Sequence, residues 1–308
     1  MVVSEIPPVN ITTRNTRIIP FEYEYYEPRS LKEALELLDR YGDQARILAG
    51  GTDLLVKMKA RLVEPRFVIN IKKIDGLRYI VDDGEQVRIG ALTRLRDVEN
   101  SELVKKYIPA LHDAVKSMGS IQIRNMATIG GNLCNASPAA DTAPPLLVHN
   151  AKVVLSSEGG DRVLPLTEFF KGPGLTVLKP NELLREIIVE KTNAGSSAFK
   201  KVSRVTVDLA IASAAVYVEV EDGFIRNARI ALGSVAPKPL RAVKTESLLR
   251  GLRIDSREVL NALKTIDEEI SPITDVRSTA EYRRYVSKVL VLDALEVAYA
   301  RLKGGVHG

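Results

Sequence analysis

The stretch ILAGGTDLLVK, Ile47 to Lys57, sets an apolar run, two adjacent glycines, a Thr-Asp pair and the start of an amphipathic segment side by side. ARILAG reads as a short buried strand, and DLLVKMKARL as a helical turn or two ending before Pro65. Glycines between them let the backbone take positive φ and bring N–H groups against a ligand with no Cβ in the way. A helix beginning just after Gly50-Gly51 would point unpaired N–H groups and its positive dipole end into the same space, which favours a phosphate, and Thr52 would add a hydroxyl donor. A lone Gly-Gly step is more often only a tight turn or a helix start.

A second such stretch follows. IQIRNMATIGGNLCNASPAADTAPPLLVHN holds Gly130-Gly131 among small polar residues, and Thr128 to Asn132 offers a hydroxyl, glycine amides and the Asn132 amide as donors. One loop of this kind suits one phosphate; two suit a diphosphate gripped from both sides, hence a dinucleotide between two lobes. Neither loop has the third glycine of G-x-G-x-x-G, and neither has the Lys-Ser/Thr step of a Walker A loop. The pattern therefore predicts a dinucleotide held by a fold other than those two.

Around these loops the chain alternates helix and strand signals. Ser30 precedes LKEALELLDRYG, where Leu31, Ala34, Leu35 and Leu38 recur at helical spacing, Glu33 completes a capping box and Gly42 ends the helix. RFVINI is a strand, and GLRYIVDDGEQVRIGAL is a hairpin turning at Asp83-Gly84. Helical patterns return in TRLRDVENSELVKKY and IPALHDAVKSM, and AKVVLSS is a buried strand. Beyond a boundary near Ser196 to Lys201, DLAIASAAVYVEVEDGFIRNARIALG reads as two strands joined at Asp222-Gly223. Helical segments then close the chain; in the last, Tyr282, Tyr285, Val286, Val289 and Leu292 form an apolar stripe expected to pack into the core. The divisions are a polar extension at 1–18, expected to be disordered, then 19–75, 76–195 and 196–308.

Composition excludes several functions. At 308 residues and 45% apolar content the chain can bury a large core, and about 150 residues per domain predicts two or three domains. No apolar run reaches the roughly 18 residues of a membrane span, and the N-terminus lacks the apolar region of a secretory signal, which places the protein in the cytoplasm. The net charge of +5 comes from 44 basic and 39 acidic residues that interleave, and with no Trp there is no basic-aromatic pattern for nucleic acid. Cys134 is the only cysteine and the three histidines are scattered, so no disulfide, iron-sulfur cluster or metal centre is expected from this chain.

Taken together, FEYEYYEPRSLKEALELL, LAGGTDLLVKMK, IRNMATIGGNLCNASPAADTAPPLL, SAFKKVSR and SPITDVRSTAEYRRYVSKVL resemble the FAD-binding medium subunits of the molybdenum hydroxylases, such as carbon monoxide dehydrogenase, aldehyde oxidoreductases and the FAD domain of xanthine dehydrogenase. The resemblance covers nearly the whole chain from about Ile19. It implies an α+β protein with a vanillyl-oxidase-like (PCMH-type) FAD fold of two α+β subdomains, 19–75 and 76–195, followed by a smaller C-terminal α+β domain with an antiparallel sheet and helices. By motif position, Ala49, Gly50, Gly51, Thr52 and Asp53, together with Thr128, Ile129, Gly130, Gly131 and Asn132, would wrap the FAD diphosphate and ribityl, and Asp141 would hydrogen-bond the cofactor. Leu184 and Lys200 occupy positions that line the flavin in the xanthine dehydrogenase relatives.

Each residue has a plainer reading. Asp141 could cap the helix TAPPLLVHN. Lys200 could be a surface charge, and either it or Lys201 could point inward. Cys134 reads as a small residue filling a tight loop, with no neighbouring His to activate it. Arg124 could meet a phosphate or a carboxylate.

No triad, acid-base pair or metal motif is present, so the chemistry belongs to the cofactor. The resemblance implies an electron-transfer subunit: substrate is oxidised on a large molybdenum-cofactor subunit, electrons cross the 2Fe-2S clusters of a small subunit, and the flavin passes them to an external acceptor, in a complex of the dimer-of-heterotrimers type. One branch of the family carries an additional cysteine-rich cluster segment, against which the single Cys134 argues. Two other readings stand beside this one: a self-sufficient FAD-dependent oxidoreductase, and a cofactor-free scaffold that keeps the fold.

Overall fold

The computed structural model describes residues 19–304; the extension 1–18 lies outside the described residues. Three main sheets follow one another along the chain. The first is parallel, ordered β1-β3-β2, with β1 Glu24–Tyr26, β2 Ala45–Leu48 and β3 Phe67–Asn70. All four residues of β3 are buried, as expected of a central strand covered on both faces. The crossover from β1 to β2 is α1 (Leu31–Tyr41), which buries Ala34, Leu35 and Leu38. Ser30 Oγ accepts the Glu33 N–H at 3.1 Å, but the Glu33 carboxylate takes the N–H of Arg29 at 2.9 Å, one residue before the cap. Gly42 at φ +47 stops the helix. A short helix, α2 (Leu54–Lys59), lies between β2 and β3.

The second sheet is antiparallel, ordered β4-β5-β10-β6-β7. It comprises β4 Ile80–Asp82, β5 Gln86–Gly90, β6 Lys152–Ser157, β7 Gly160–Pro165 and β10 Leu183–Glu190. Gly84, at φ +98, turns the β4–β5 hairpin. Short helices fill the long connection from β5 to β6: α3 Leu95–Asn100, α4 Glu102–Tyr107, α5 Pro109–Lys116, α6 Ile121–Met126, α7 Ile129–Cys134 and α8 Ala143–Val148. After β7 come α9 (Leu166–Phe169) and a small hairpin of β8 (Phe170–Gly172) and β9 (Leu175–Thr176).

The third sheet, ordered β11-β12-β13-β14, contains β11 Ser196–Val202, β12 Ala212–Glu221, β13 Phe224–Gly233 and β14 Leu240–Arg241. The β12–β13 turn places Asp222 and Gly223 at φ 52 and 84. Its helices are α10 Val243–Leu249, α11 Arg257–Leu263, α12 Ile266–Glu269 and α13 Ala280–Leu302. One face, with Ala198, Ala214 and Val216, packs on α13; the other, with Phe199, Ala215 and Tyr217, joins the core of the second sheet. Polar contacts close this second junction: Asp113 of α5 accepts two hydrogen bonds from Arg301, both at 2.9 Å, and Arg301 also reaches the Ser197 carbonyl at 2.6 Å.

The orientation of α13 corrects the sequence reading. Tyr285 is 64% exposed, and Tyr282 and Val289 also face outward, whereas Val286, Leu290, Val291, Ala294, Leu295 and Ala298 are buried. Small residues on the latter face let the helix lie close to the sheet, and tyrosine tolerates a surface position because its hydroxyl stays hydrated. Among the described residues no helix is long and apolar enough to cross a membrane.

Candidate cofactor cleft

A cleft of about 920 Å3 runs between the first two sheets, and the segment Val207 to Leu209 of the third closes one part of its wall. Both glycine stretches open onto it. The first connects β2 to α2. Gly51 takes φ +83, a bend that a residue with Cβ adopts at a cost of about 1–2 kcal/mol. Gly50 lies against the other stretch: a Cβ there would fall 2.5 Å from the Met126 carbonyl oxygen. Among the described residues, the N–H groups of Gly50, Gly51, Thr52 and Asp53 donate to no protein acceptor. Asp53 does not cap α2; its carboxylate accepts from Asn135 Nδ2 at 3.0 Å, and Lys57 Nζ donates to Asn135 Oδ1 at 2.6 Å. Asn135 thus fastens the first stretch to the second.

The second stretch is a capped helix, which revises the sequence reading of it as an open loop. Thr128 Oγ accepts the Gly131 N–H at 3.1 Å, and Asn132 N–H returns to the Thr128 carbonyl at 3.0 Å. Ile129 N–H donates to Thr93 O and Gly130 N–H to Ala91 O. All four amides are therefore committed within the fold. Gly130 is required by packing, since a Cβ would lie 2.6 Å from that of Ala91. A Cβ on Gly131 would lie 2.8 Å from the Thr128 hydroxyl oxygen and 3.9 Å from the Ala49 Cβ. What this stretch can offer a ligand is the Thr128 O–H hydrogen, left over because the oxygen acts as the cap acceptor, and the NH2 of Asn132, whose carbonyl takes the Thr142 hydroxyl at 2.6 Å.

Asp141 lies in the same wall, 3% exposed. It does not cap α8, whose N-cap is Thr142 without a side-chain cap bond. Its Oδ2 accepts from Lys201 Nζ at 2.9 Å, while Oδ1 is buried with no partner among the described residues. Burial pushes the Asp141 carboxyl above its ordinary pKa, and the Lys201 charge opposes that rise. Leu184, buried on β10, also lines the cleft.

Two of the expected residues stand apart from the wall. Ile129 is fully buried in the core behind it, and Lys200 lies on the Ala198 and Val202 face of β11. Lys201, on the Phe199 face, is the lysine that reaches Asp141 in the cleft wall. Period-two alternation carried this signal: in SAFKKV, the face of the large apolar Phe199 includes Lys201 and excludes Lys200. Arg124 meets a carboxylate, bonding Glu99 at 2.8 Å and the carbonyls of Met118 and Gly119 at 3.0 Å. The thiol of Cys134, in the cleft wall, is pushed up to about 12 by burial and stays protonated at neutral pH. Asn135 had no sequence signal, because its partners are 78 and 82 positions away.

With this geometry in place, comparison with known proteins assigns the class. Residues 21–191 match the family model described as the FAD binding domain in molybdopterin dehydrogenase, and residues 197–298 match the CO dehydrogenase flavoprotein C-terminal domain. The chain belongs to this family of FAD-binding medium chains of molybdenum-hydroxylase-type dehydrogenases, its fold is the PCMH-type FAD fold followed by that C-terminal domain, and its cofactor is FAD.

Among individual relatives, the glyceraldehyde dehydrogenase medium chain of Sulfolobus acidocaldarius is 36% identical over 277 residues, covering 90% of this chain and 98% of the relative. The carbon monoxide dehydrogenase medium chain of Hydrogenophaga pseudoflava is 35% identical over 285 residues, covering 92% and 99%. A solved structure of carbon monoxide dehydrogenase from Hydrogenophaga pseudoflava superposes with a TM-score of 0.89 at 36% identity, covering 92% of this chain and 99% of that one.

Proposed function

We propose that this chain is the electron-transfer subunit of a cytoplasmic heteromeric dehydrogenase, receiving electrons from 2Fe-2S clusters on a small subunit while a large molybdenum-cofactor subunit oxidises the substrate, and delivering them to an external acceptor. The observation that carries this reading is the meeting, in one cleft, of four uncommitted N–H donors at Gly50 to Asp53 and the buried, unpartnered Asp141 Oδ1. The donors suit a pyrophosphate and the acceptor suits an O–H or N–H group, and FAD carries both kinds of group.

Gly50 to Asp53, the Thr128 hydroxyl and Asn132 would hold the diphosphate and neighbouring ribityl; Asp141 would orient the cofactor; Leu184, Val207 and Leu209 would line its apolar surroundings. When bound, FAD supplies acceptance and release of electrons, singly or in pairs. The protein's own part is to bind it, keep water from part of it and dock closely against the partners. Medium-chain relatives come from multi-subunit enzymes, and the lone Cys134 suits a reducing compartment.

Purification of the complex from its source tests the proposal. Flavin absorption bands with about one FAD per chain, and co-purifying subunits that carry molybdenum and iron, are expected. A colourless chain that takes up no added FAD would overturn the cofactor assignment; FAD-loaded chain that associates with no metal-bearing subunit would overturn the complex.

A further inference from the structure

The buried carboxylate of Asp141 has one ionic partner, and that partner belongs to a different domain. Lys201 Nζ bonds Asp141 Oδ2 at 2.9 Å, with 6% and 4% of the two side chains exposed. The same Nζ lies 3.5 Å from the Asp208 carbonyl, in the segment whose Val207 and Leu209 form part of the cleft wall. Of the other charged residues lining the cleft, Asp53 and Lys57 meet on Asn135, Glu182 is held by Arg162, Asp208 by Arg204 and Arg46 by the carbonyls of Asp43 and Ala45, while the side chains of Asp43 and Lys179 make no ion pair among the described residues.

An isolated carboxylate in such a place costs several kcal/mol to keep ionised and takes up a proton instead. A protonated Asp141 would present a mixed donor and acceptor. An ionised one presents acceptors only, and with Oδ2 bonded to Lys201 the carboxylate oxygen left without a partner among the described residues is the buried Oδ1.

We propose that Lys201 is a positioning residue for the cofactor: it holds Asp141 as an acceptor-only carboxylate and reserves Oδ1 for one O–H or N–H donor of FAD, while tying the Val207 to Leu209 wall to the same anchor. This rests on FAD binding in the cleft. Lys200, on the opposite face of β11, has no part in it.

The sign of the pH effect follows. On this proposal the 2.9 Å bond from Lys201 keeps Asp141 ionised, and FAD affinity is flat between about pH 6 and 9. With Lys201 removed, the carboxyl titrates at higher pH; FAD prefers the ionised form, so binding must first displace a proton, and affinity tightens as pH rises.

The test is fluorescence titration of FAD into the deflavinated full-length chain across this pH range. Wild type and Lys200→Met should agree within about twofold at every pH. Lys201→Met should bind about tenfold more weakly at pH 6, the loss of one hydrogen bond to a charged acceptor, and recover toward pH 9. The double variant Asp141→Asn/Lys201→Met, with no titrating group, should be weak and flat. A Lys201→Met profile that runs parallel to wild type, whatever its melting temperature, would overturn the proposal, as would a loss carried by Lys200→Met.

Should Lys201→Met not fold, Lys201→Arg and the double variant decide: the arginine keeps tight, flat binding and the double variant loses about tenfold, while equal affinity of the two overturns the inference. Wild type that binds no FAD at any pH removes the cofactor assignment and this proposal together; wild type that binds, with a flat Lys201→Met, removes this proposal alone.

Discussion

The two glycine pairs look alike in sequence and behave differently in the fold. At Gly50-Gly51 the backbone bends through positive φ at Gly51 and leaves four consecutive N–H groups without acceptors among the described residues. At Gly130-Gly131 it winds into a capped helix whose amides are all committed, and the glycines are there for closeness: one to Ala91, the other to the cleft. The same dipeptide therefore supplies donors in one place and room in the other. A clasp with two equivalent jaws, the natural reading of the sequence, becomes one jaw of amides and one of side chains.

Substitutions should separate these roles. The largest effect is expected at Gly130: in Gly130→Val the new Cβ meets both the side chain and the carbonyl of Ala91, in a fully buried place, and overpacking of this kind costs about 1–3 kcal/mol or more. Thermal unfolding should show a drop of several degrees with loss of FAD; an unchanged melting temperature would break the packing half of the comparison.

Next comes Gly131→Val, where added bulk disturbs the Thr128 cap and narrows the gap to Ala49. FAD release is expected with the C-terminal domain intact by circular dichroism and limited proteolysis, and full retention of flavin would contradict the placement of the cofactor here. The smallest effect belongs to Thr128→Ala, which removes one cap, worth about 1 kcal/mol, and one hydroxyl. A modest fall in melting temperature with FAD binding weakened several-fold would mark the side-chain jaw as real; unaltered affinity would leave the grip to the first stretch alone.

Some features were legible before any coordinates because they are local. Ser30 and Gly42 bound α1 through their own backbone neighbours, and Gly84 and Gly223 mark turns by a conformation that β-branched residues avoid. Both glycine pairs stood out for the same reason. The helical state of 129–134 did not, since six residues of IGGNLC carry neither a 3.6-residue period nor a good propensity, and their helix is held by Thr128, Thr93 and Ala91. Arg124 shows the limit from another side: its charge was plain, but its partner Glu99 is 25 positions away.

By itself the sequence determined where the backbone can turn, which segments alternate or repeat, and the motif order that marks the family; those properties are set within a few residues of each position. Only the tertiary structure decided that the Phe199 face of β11, and with it Lys201, is the one that meets Asp141, that Tyr282 and Tyr285 face outward on α13, and that one glycine pair keeps its amides for a ligand while the other gives them to the fold. These are questions of which partner fills a given direction in space, and the partners come from strands and helices far apart in the chain.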